Sequence, residues 1–424
     1  MNKIILSAMA ALTLGTAIHA ETMTIYTNTA TGEIFNTPGE GRTKLGEYTK
    51  DTAVEATQKT EMTKVEQSSS NSEASVLDRL HFKGDLRLRY ESKEYNYDDG
   101  YQKTPTYHNR YRLRLVSAID LTDKLTFDAG MRSGYANPTS GNQTFEDRAL
   151  SDYFWQSLRV NILGLTYQDG DHTLKVGREP YMLYRPIKSQ LIWDNDLSFD
   201  GINYKYENDS RIINLGVNQP TYAEDSVARD TINLVVAQYV EKIKLENSHL
   251  NLGAGVYYYD GVKGNTPIYS ANNNKGMGNT LVNGVFENDY NIVEAFGELK
   301  YKDLFGKPFA IAAGVAYNTA ASNNNFGYDL AFQIGKAKNV HDWQVKYSYT
   351  DTQEDAVLGA HSDSDNFGGG TAAKGHAIRT KYKFGKHTDL AATFFYNKLY
   401  ANRDGSSHSE AYYERVQLDV ILKF

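Results

Sequence analysis

The stretch Phe82-Lys83-Gly84-Asp85-Leu86-Arg87-Leu88-Arg89-Tyr90-Glu91 decides the fold, because its apolar and charged side chains alternate. Successive side chains of a β-strand point to opposite faces of a sheet. Leu86, Leu88 and Tyr90 therefore share an apolar face, and the charged residues share the other face. One apolar and one charged face suit a strand that stands between lipid and water.

The same alternation recurs as far as the C-terminus and predicts an all-β chain. After residue 20 no run of 18 apolar residues is present, and the mean hydropathy is −0.56, yet the chain contains 32 Tyr and 17 Phe. A transmembrane barrel explains both facts, because only alternate strand residues face lipid and Tyr suits the headgroup level. We predict a transmembrane antiparallel up-and-down β-barrel of about sixteen strands. After 82–91, the predicted strands are 108–121, 125–132, 153–167, 172–178, 198–207, 210–218, 229–244, 249–260, 288–302, 307–319, 325–336, 341–352, 375–385, 388–399 and 411–424.

The lengths of the connections alternate as well. Connections after even-numbered strands are tight, as at 122–123, 208–209 and 386–387. Most connections after odd-numbered strands are long and polar, and 320–324 is a short exception. Bacterial outer-membrane barrels have short periplasmic turns and long external loops, whereas a soluble β-sandwich has no reason to alternate. The predicted long loops are 92–107, 137–152, 179–197, 261–287, 353–374 and 400–410.

The N-terminal part is predicted to precede the barrel as separate segments. Residues 1–20 combine Lys3, a short apolar run and a small residue, which is typical of a secretory signal and too short for a membrane anchor. Residues 21–50 read as a small periplasmic β-like unit, and 51–78 as either a polar linker or a short oligomerising stalk. The barrel occupies 79–424. We therefore expect the cell outer membrane of a Gram-negative bacterium, with a short N-terminal extension in the periplasm.

The last strand also alternates and ends in an aromatic residue. Val416, Leu418, Val420 and Leu422 share one face, and the chain ends at Phe424. This ending resembles the assembly signal of outer-membrane barrels, so the barrel-assembly machinery is an expected partner. With both barrel ends on the periplasmic side, the last strand should pair with the first and remove the open edges of the sheet.

Three segments resemble the "putative porin" family of Gram-negative outer-membrane proteins: Phe82 to Tyr90, Lys175-Val176-Gly177-Arg178-Glu179-Pro180, and Ile192 to Gly201. The resemblance covers about 79–424. It implies a water-filled channel for small hydrophilic solutes and ions, often a homotrimer, surrounded by outer-membrane lipid and lipopolysaccharide. The net charge of −7 argues against nucleic acid as a partner.

Counting strands makes 179–197 the third external loop, which in porins generally folds inward as the constriction. Large apolar side chains in an external loop need burial, so they should pack on the inner wall while charged residues reach the pore. The alternative is an ordinary surface loop. The predicted constriction residues are Glu179, Arg185, Lys188, Asp194 and Asp196.

Early strands place basic residues on the face opposite lipid. A cluster of Arg and Lys on a low-dielectric wall favours anions. Alternatively, these residues only satisfy acidic neighbours in a hydrated lumen, since Asp85, Glu91, Asp120 and Asp128 share their face. The predicted basic wall comprises Arg87, Arg89, Arg110, Arg112, Arg114, Arg132, Arg159 and Lys175.

Enzyme motifs are not found in the sequence. The histidines of residues 21–424 lack the spacing of metal ligands, and Gly368-Gly369-Gly370 lacks the Lys-Ser or Lys-Thr of a phosphate loop. No enzyme activity, cofactor or metal is therefore expected. Two other functions remain open: a barrel hydrolase, which needs a Ser-His pair at the membrane boundary, and an adhesin or receptor barrel that acts through its external loops.

Overall fold

The computed structural model describes residues 22–28, 34–35, 37–49, 78–134, 138–145, 158–221, 230–267, 276–304, 306–403 and 407–424. The predictions for the signal 1–20, for nearly all of 51–78 and for the start of the strand 153–167 fall outside these residues. No helix in the described part of the chain is long and apolar enough to cross a membrane.

Sixteen long strands, β1 to β16, form one closed antiparallel barrel in the described residues. Fold class and strand number are as predicted. The strands are β1 Leu80–Tyr97, β2 Gln102–Asp120, β3 Leu125–Ser133, β4 Leu158–Asp169, β5 His172–Pro180, β6 Ser198–Glu207, β7 Arg211–Thr221, β8 Ile232–Lys244, β9 Ser248–Asp260, β10 Asn291–Leu304, β11 Lys307–Asn318, β12 Phe326–Gly335, β13 Trp343–Thr352, β14 Ala373–Gly385, β15 Thr388–Leu399 and β16 Ala411–Lys423.

The barrel closes between its last and first strands. Strand β16 pairs with β1 from Ala411 opposite Tyr97 to Lys423 opposite Asp85. The pairing continues at Phe424, whose N–H donates to Gly84 O at 3.1 Å while the N–H of Gly84 donates to Phe424 O at 2.8 Å. Closure satisfies the backbone groups that an edge strand would leave bare in lipid, where each costs several kcal/mol.

The alternation in β1 sorts side chains between lipid and lumen. Leu88 and Tyr90 are both 42% exposed on the outer face, whereas Arg89 and Glu91 are buried inside the barrel. The remaining strands continue the apolar outer surface, for example at Leu330 and Val420. An apolar exterior and a polar interior are what a barrel in a bilayer requires.

The first hairpin corrects one predicted loop. Residues 92–107 were expected to be a long loop, but β1 continues to Tyr97 and β2 begins at Gln102, which leaves a connection of residues 98–101. Ser92, Glu94 and Asn96 occupy the outer face of this extension, so it lacks the apolar pattern of a lipid-facing strand. The hairpin extends beyond the apolar band of the outer surface. Outside that band a strand can be polar on both faces, so a polar segment need not be a loop.

The connections 181–197, 353–372 and 400–410 agree with the predicted loops to within two residues, and the first two matter for the lumen. We call residues 181–197, between β5 and β6, loop L3, and residues 353–372, between β13 and β14, loop L7. A third connection, residues 261–290 between β9 and β10, is called L5, of which 268–275 lie outside the described residues.

The N-terminal residues form a unit of their own. Contacts divide the chain into 1–72 and 73–424. In the first unit the strand Thr22–Asn28 pairs antiparallel with both Ile34–Phe35 and Arg42–Thr49. The predicted domain boundaries remain predictions.

Candidate functional site

Loop L3 lies against the inner face of the barrel wall formed by β8 to β12. The side chain of Ile187 is buried against Ala310 and Ala312 of β11 and Ala331 of β12. Alanines on the inner face leave room for the loop, so this part of the wall is smooth and apolar. Burying such a side chain contributes roughly 1.5–3 kcal/mol, which anchors the loop by the hydrophobic effect.

Polar groups of the same wall fix the backbone of L3. The N–H of Tyr184 donates to Gln238 Oε1 at 2.8 Å, and Gln238 Nε2 donates back to the carbonyl oxygen of Tyr184 at 2.9 Å. The N–H of Ile187 donates to Glu298 Oε1 at 2.9 Å. These bonds satisfy loop amides that are removed from water, where an unpaired group costs about 1–3 kcal/mol.

Trp193 is the centre of an apolar cluster that joins L3 to L5, L7 and the barrel wall. It is 1% exposed, and its ring packs edge-on to Tyr257 of β9 at 4.9 Å and to Phe199 of β6 at 5.5 Å. Val262 of L5 and Leu358 of L7 belong to the same buried cluster. The large apolar residues predicted in L3 are therefore buried inside the barrel rather than exposed on its outside.

His361 of L7 closes this cluster from the other side. Its Nδ1 lies 2.7 Å from the hydroxyl of Tyr259, and its carbonyl oxygen accepts the N–H of Asp194 at 2.7 Å. Burial lowers the pKa of His361 to about 3. The imidazole is therefore neutral at physiological pH, in keeping with its apolar surroundings.

The end of L3 carries its acidic residues to the opposite side of the lumen. Asp196 accepts from Arg114 Nη1 at 3.3 Å and lies 3.8 Å from Nη1 of Arg112, both on β2. Asp194 is buried and accepts the N–H of Ser364 in L7 at 2.9 Å. Burial, with Asp196 nearby, raises the pKa of Asp194 well above its ordinary value. Asp196 thus meets the basic wall, whereas Asp194 joins two loops.

The other predicted loop residues have different positions. Arg185 turns back into L3 and donates to Trp193 O at 2.8 Å and Asn195 Oδ1 at 2.6 Å. Lys188 is exposed and has a positive φ of 54°. Glu179 was assigned to the loop but belongs to β5, where it accepts from Lys175 Nζ at 3.2 Å. The strand extends two residues further than its alternating pattern suggested.

Six of the eight predicted wall residues come together on β1, β2 and β3, and each of them has a partner. Arg112 and Arg114 bind Asp85 at 2.8 and 2.7 Å. The partners of the others are Asp419 and Asp365 for Arg89, Glu91 for Arg110, Asn142 for Arg87, and the carbonyl oxygens of Pro138 and Asp196 for Arg132.

The last two predicted wall residues are placed differently. Arg159 lies directly across from Arg132 in the pairing of β3 with β4, and it is exposed. Lys175 is held by Glu179 further round the barrel. Of the acidic residues expected to neutralise the wall, Asp85 and Glu91 do so, while Asp120 binds His81 and Asp128 accepts from Thr166.

A second loop residue, Asp365 of L7, contacts the basic wall, although the sequence did not predict this contact. Asp365 of L7 accepts from Arg415 Nη2 at 2.8 Å and from Arg89 Nη1 at 3.3 Å. Burial alone would raise the pKa of Asp365, but the two guanidinium groups outweigh it and hold the pKa well below its usual range. The alternation of β16 places Arg415 and Asp419 inward, so both were accessible to sequence reasoning. A loop such as L7 has no periodicity that could have located Asp365.

Comparisons with known proteins agree with this architecture. Residues 102–299 and 302–402 match the model of the putative porin family. These segments make up more than half of the chain, and the chain belongs to that family. No curated protein matches it by sequence.

Solved structures supply similar folds. OprB of Pseudomonas putida, solved at high pH, has a TM-score of 0.52 at 14% identity, over 82% of this chain and 95% of that chain. A loop-deletion mutant of OmpT, an outer-membrane protein of Vibrio cholerae, has a TM-score of 0.44 at 14% identity, over 82% and 100%. A mutant of the porin of Rh. blastica has a TM-score of 0.43 at 12% identity, over 81% and 100%. At these identities OprB supports the fold alone. Family and fold together define an outer-membrane β-barrel of the porin-like class.

Proposed function

We propose that this protein forms a water-filled channel through which small hydrophilic solutes and ions diffuse passively, with L3 as its constriction. The main evidence for the proposal is that L3 contacts both sides of the lumen. Ile187 packs on β11 and β12, and Asp196 contacts Arg112 and Arg114 on β2. A loop tied to both walls narrows the lumen and places charges at its narrowest part.

L7 is part of the same constriction in this proposal. Asp365 reaches Arg89 and Arg415, while Phe367 packs on Tyr413 of β16. L3 and L7 are joined by the bond from Ser364 to Asp194. Two loops that support each other hold a fixed opening better than one, because neither can move without breaking the contacts of both.

The six clustered arginines of β1 to β3, which we call the arginine wall, contribute a field more than an open binding surface. Its charges face Asp85, Glu91, Asp196 and the carboxylate of Asp365. Ion pairs grouped on one side of a narrow lumen create a local field that orients dipolar solutes, and they discriminate against apolar ones.

The remaining predictions complete the proposal. No enzyme activity is expected. The protein is proposed to be a homotrimer in contact with lipopolysaccharide, and the N-terminal residues are proposed to lie in the periplasm. In support of an interface, the ion pair between Arg178 and Asp200 lies on the outer face of β5 and β6, on the face shared by Val176 and Ile202, where lipid does not favour charge. Cross-linking in intact outer membranes tests the trimer, and a uniformly monomeric product contradicts it.

Planar lipid bilayers test the proposed function. The purified full-length protein should produce discrete conductance steps in potassium chloride, and liposomes that contain it should swell in small sugars and progressively less in larger ones. An adhesin or a hydrolase has no reason to do either. Absence of both conductance and swelling, for protein whose folded barrel is confirmed by circular dichroism, would reject the channel.

A further inference from the structure

A row of cations follows β14 from the constriction to the periplasmic turn. Arg379, Lys381 and Lys383 occupy alternate positions of β14. Their side chains point inward, because Ile378, the residue before Arg379, is 43% exposed on the outer face. Alternate residues of a strand are about 7 Å apart, so the row has the direction of the channel axis, apart from the tilt of the strand.

Neighbouring elements add three more cations to this row. Lys346 of β13 lies directly opposite Arg379 in the pairing of the two strands. Lys423 of β16 joins the periplasmic end, and Lys188 at the tip of L3 is close enough to Lys381 and Lys423 to interact with their charges. These residues form what we call the basic track: Arg379, Lys381, Lys383, Lys346, Lys423 and Lys188.

Carboxylates neutralise only part of the basic track. Asp389 alone binds three of its lysines, with Nζ–O distances of 3.0 Å to Lys381, 3.0 Å to Lys383 and 2.5 Å to Lys423. Arg379 pairs with Asp363 at 3.0 Å. Asp329 lines the same space as Lys346. Three carboxylates among six cations leave an excess of positive charge on this side of the lumen.

The basic track also differs from the arginine wall in accessibility. Arg89, Arg112 and Arg132 are nearly fully buried beneath loops and carboxylates. In the track, the side chains of Lys423 and Lys381 are 48% and 33% exposed, and Lys188 is exposed. A solute in the lumen can contact Lys423, Lys381 and Lys188 of the track. In the wall Arg114, whose side chain is 37% exposed, is comparably accessible, but Arg89, Arg112 and Arg132 are not.

The end of the track nearest L3 opens into a narrow cleft between L3, L7 and the strands β12 to β14. Lys188, Lys346 and Arg379 line this cleft together with the hydroxyl groups of Ser189 and Ser348, and Asp329 and Asp363 are its two carboxylates. Cations combined with hydroxyl donors are the groups that bind a carboxylate or a small inorganic anion.

We infer that small anions, carboxylates among them, pass from the constriction to the periplasm along the basic track and not along the arginine wall. The inference rests on the proposed channel function and names the class of solute that the channel favours. Excess positive charge against a low-dielectric wall raises the local concentration of anions, and successive sites about 7 Å apart let an anion leave one cation for the next.

The test compares two double variants of the full-length protein in planar bilayers. Lys381→Gln with Lys423→Gln removes two charges from the track but leaves Lys383 to pair with Asp389. The matched control, Lys205→Gln with Lys242→Gln, removes two inward lysines that share Glu207 near a periplasmic turn on the other side of the barrel. The readouts are the reversal potential in a tenfold gradient of potassium chloride and the block of chloride current by citrate.

The wild-type channel should prefer chloride, and the track variant should reduce the anion-to-cation permeability ratio about threefold, with weaker citrate block, while the control changes it less. Lys188→Gln, which alters only an exposed loop residue, should act in the same direction and serves if the double variant does not fold. A wild-type preference for potassium, or equal changes in track and control variants, overturns the inference and leaves the channel standing. Absence of conductance in the wild type rejects the channel itself.

Discussion

The two sides of the lumen hold the loops by different physics. On the side of β8 to β12, L3 is held by buried apolar side chains such as Ile187 and Trp193, together with hydrogen bonds to buried Gln238 and Glu298. On the side of β1, β2 and β16 the wall is charged, and the loops are held by carboxylates such as Asp196 and Asp365. One loop, L3, takes part in both.

Apolar contacts and ion pairs suit two different tasks: holding the loops in place and creating the field in the channel. Apolar contacts are not screened by salt and contain no titrating group of their own, so they suit the permanent position of a loop. Ion pairs in a hydrated lumen are weakened by screening, and their net contribution is small where water reaches them. The apolar side should therefore supply most of the stability of the loops, and the charged side should supply the field in the channel.

Trp193→Ala should have the largest effect on this comparison. Removing a buried Trp costs about 3–5 kcal/mol, and here the loss falls on the contacts between L3, L5 and L7. Amide hydrogen exchange in L3 should accelerate strongly, and channel current should become noisier. Trp343→Ala is the control, because Trp343 is 38% exposed on β13 and makes no contact with this cluster among the described residues. Equal exchange in both variants would refute the apolar anchor.

Asp365→Asn should have the next largest effect. The variant leaves Arg89 and Arg415 without one partner, although Asp419 and Glu91 still bind them. We expect L7 to lose about 2 kcal/mol of stability, less than a fully orphaned buried charge costs. Hydrogen exchange should accelerate in L7 more than in L3. Asp99→Asn, in the connection between β1 and β2, is the control and should leave both loops unchanged; loss of protection confined to L3 contradicts the assignment.

Acid should loosen the apolar cluster through His361. Its folded pKa of about 3 lies below the ordinary value of 6.5, so its contribution to stability is complete above pH 6.5 and is lost as the pH falls from 6.5 toward 3. At pH 5 the loss is about 2 kcal/mol. The raised pKa of Asp194 acts in the opposite direction, since its protonation favours the folded loops as the pH falls.

Hydrogen exchange of L7 at pH 7 and pH 5, corrected for intrinsic exchange rates, separates the two groups. His361→Gln should abolish the acid loosening, and Asp194→Asn should increase it. If His361→Gln opens at pH 5 as readily as the wild type, His361 is not the responsible group.

Arg114→Gln should have the smallest effect. The side chain of Arg114 is 37% exposed, and in the variant its partners Asp85 and Asp196 both remain paired with Arg112. Exposed ion pairs contribute about 0–1 kcal/mol, so the position of L3 should change little. The urea midpoint and the exchange of L3 measure this, and a loss as large as that of Trp193→Ala would show that the charged side also anchors the loop.

The sequence was sufficient to predict the barrel, because a period of two over sixteen segments leaves few alternatives. Counting the connections also located L3 correctly in the chain. The extended first hairpin was missed because strand polarity is informative only within the lipid layer. The contacts of L7 were missed for another reason: contacts such as Asp365 with Arg415 depend on the path of an irregular loop. The basic track follows the alternation of β14, so its residues could have been predicted from the sequence. Its proposed role in anion passage could not, because that role depends on which other cations the loops cover.

The seam between β1 and β16 has a consequence for how the barrel forms. Arg89 binds Asp419 across 330 residues of chain, and the ring of Phe424 lies where a side chain on Gly84 would stand. Contacts of such sequence separation form late, because a long loop must close before they stabilise anything. Until β16 has paired with it, the first strand has a bare edge that could pair with another chain. An unfolded copy of this protein must therefore be shielded until β16 pairs with β1, because closure of this seam removes the bare edge.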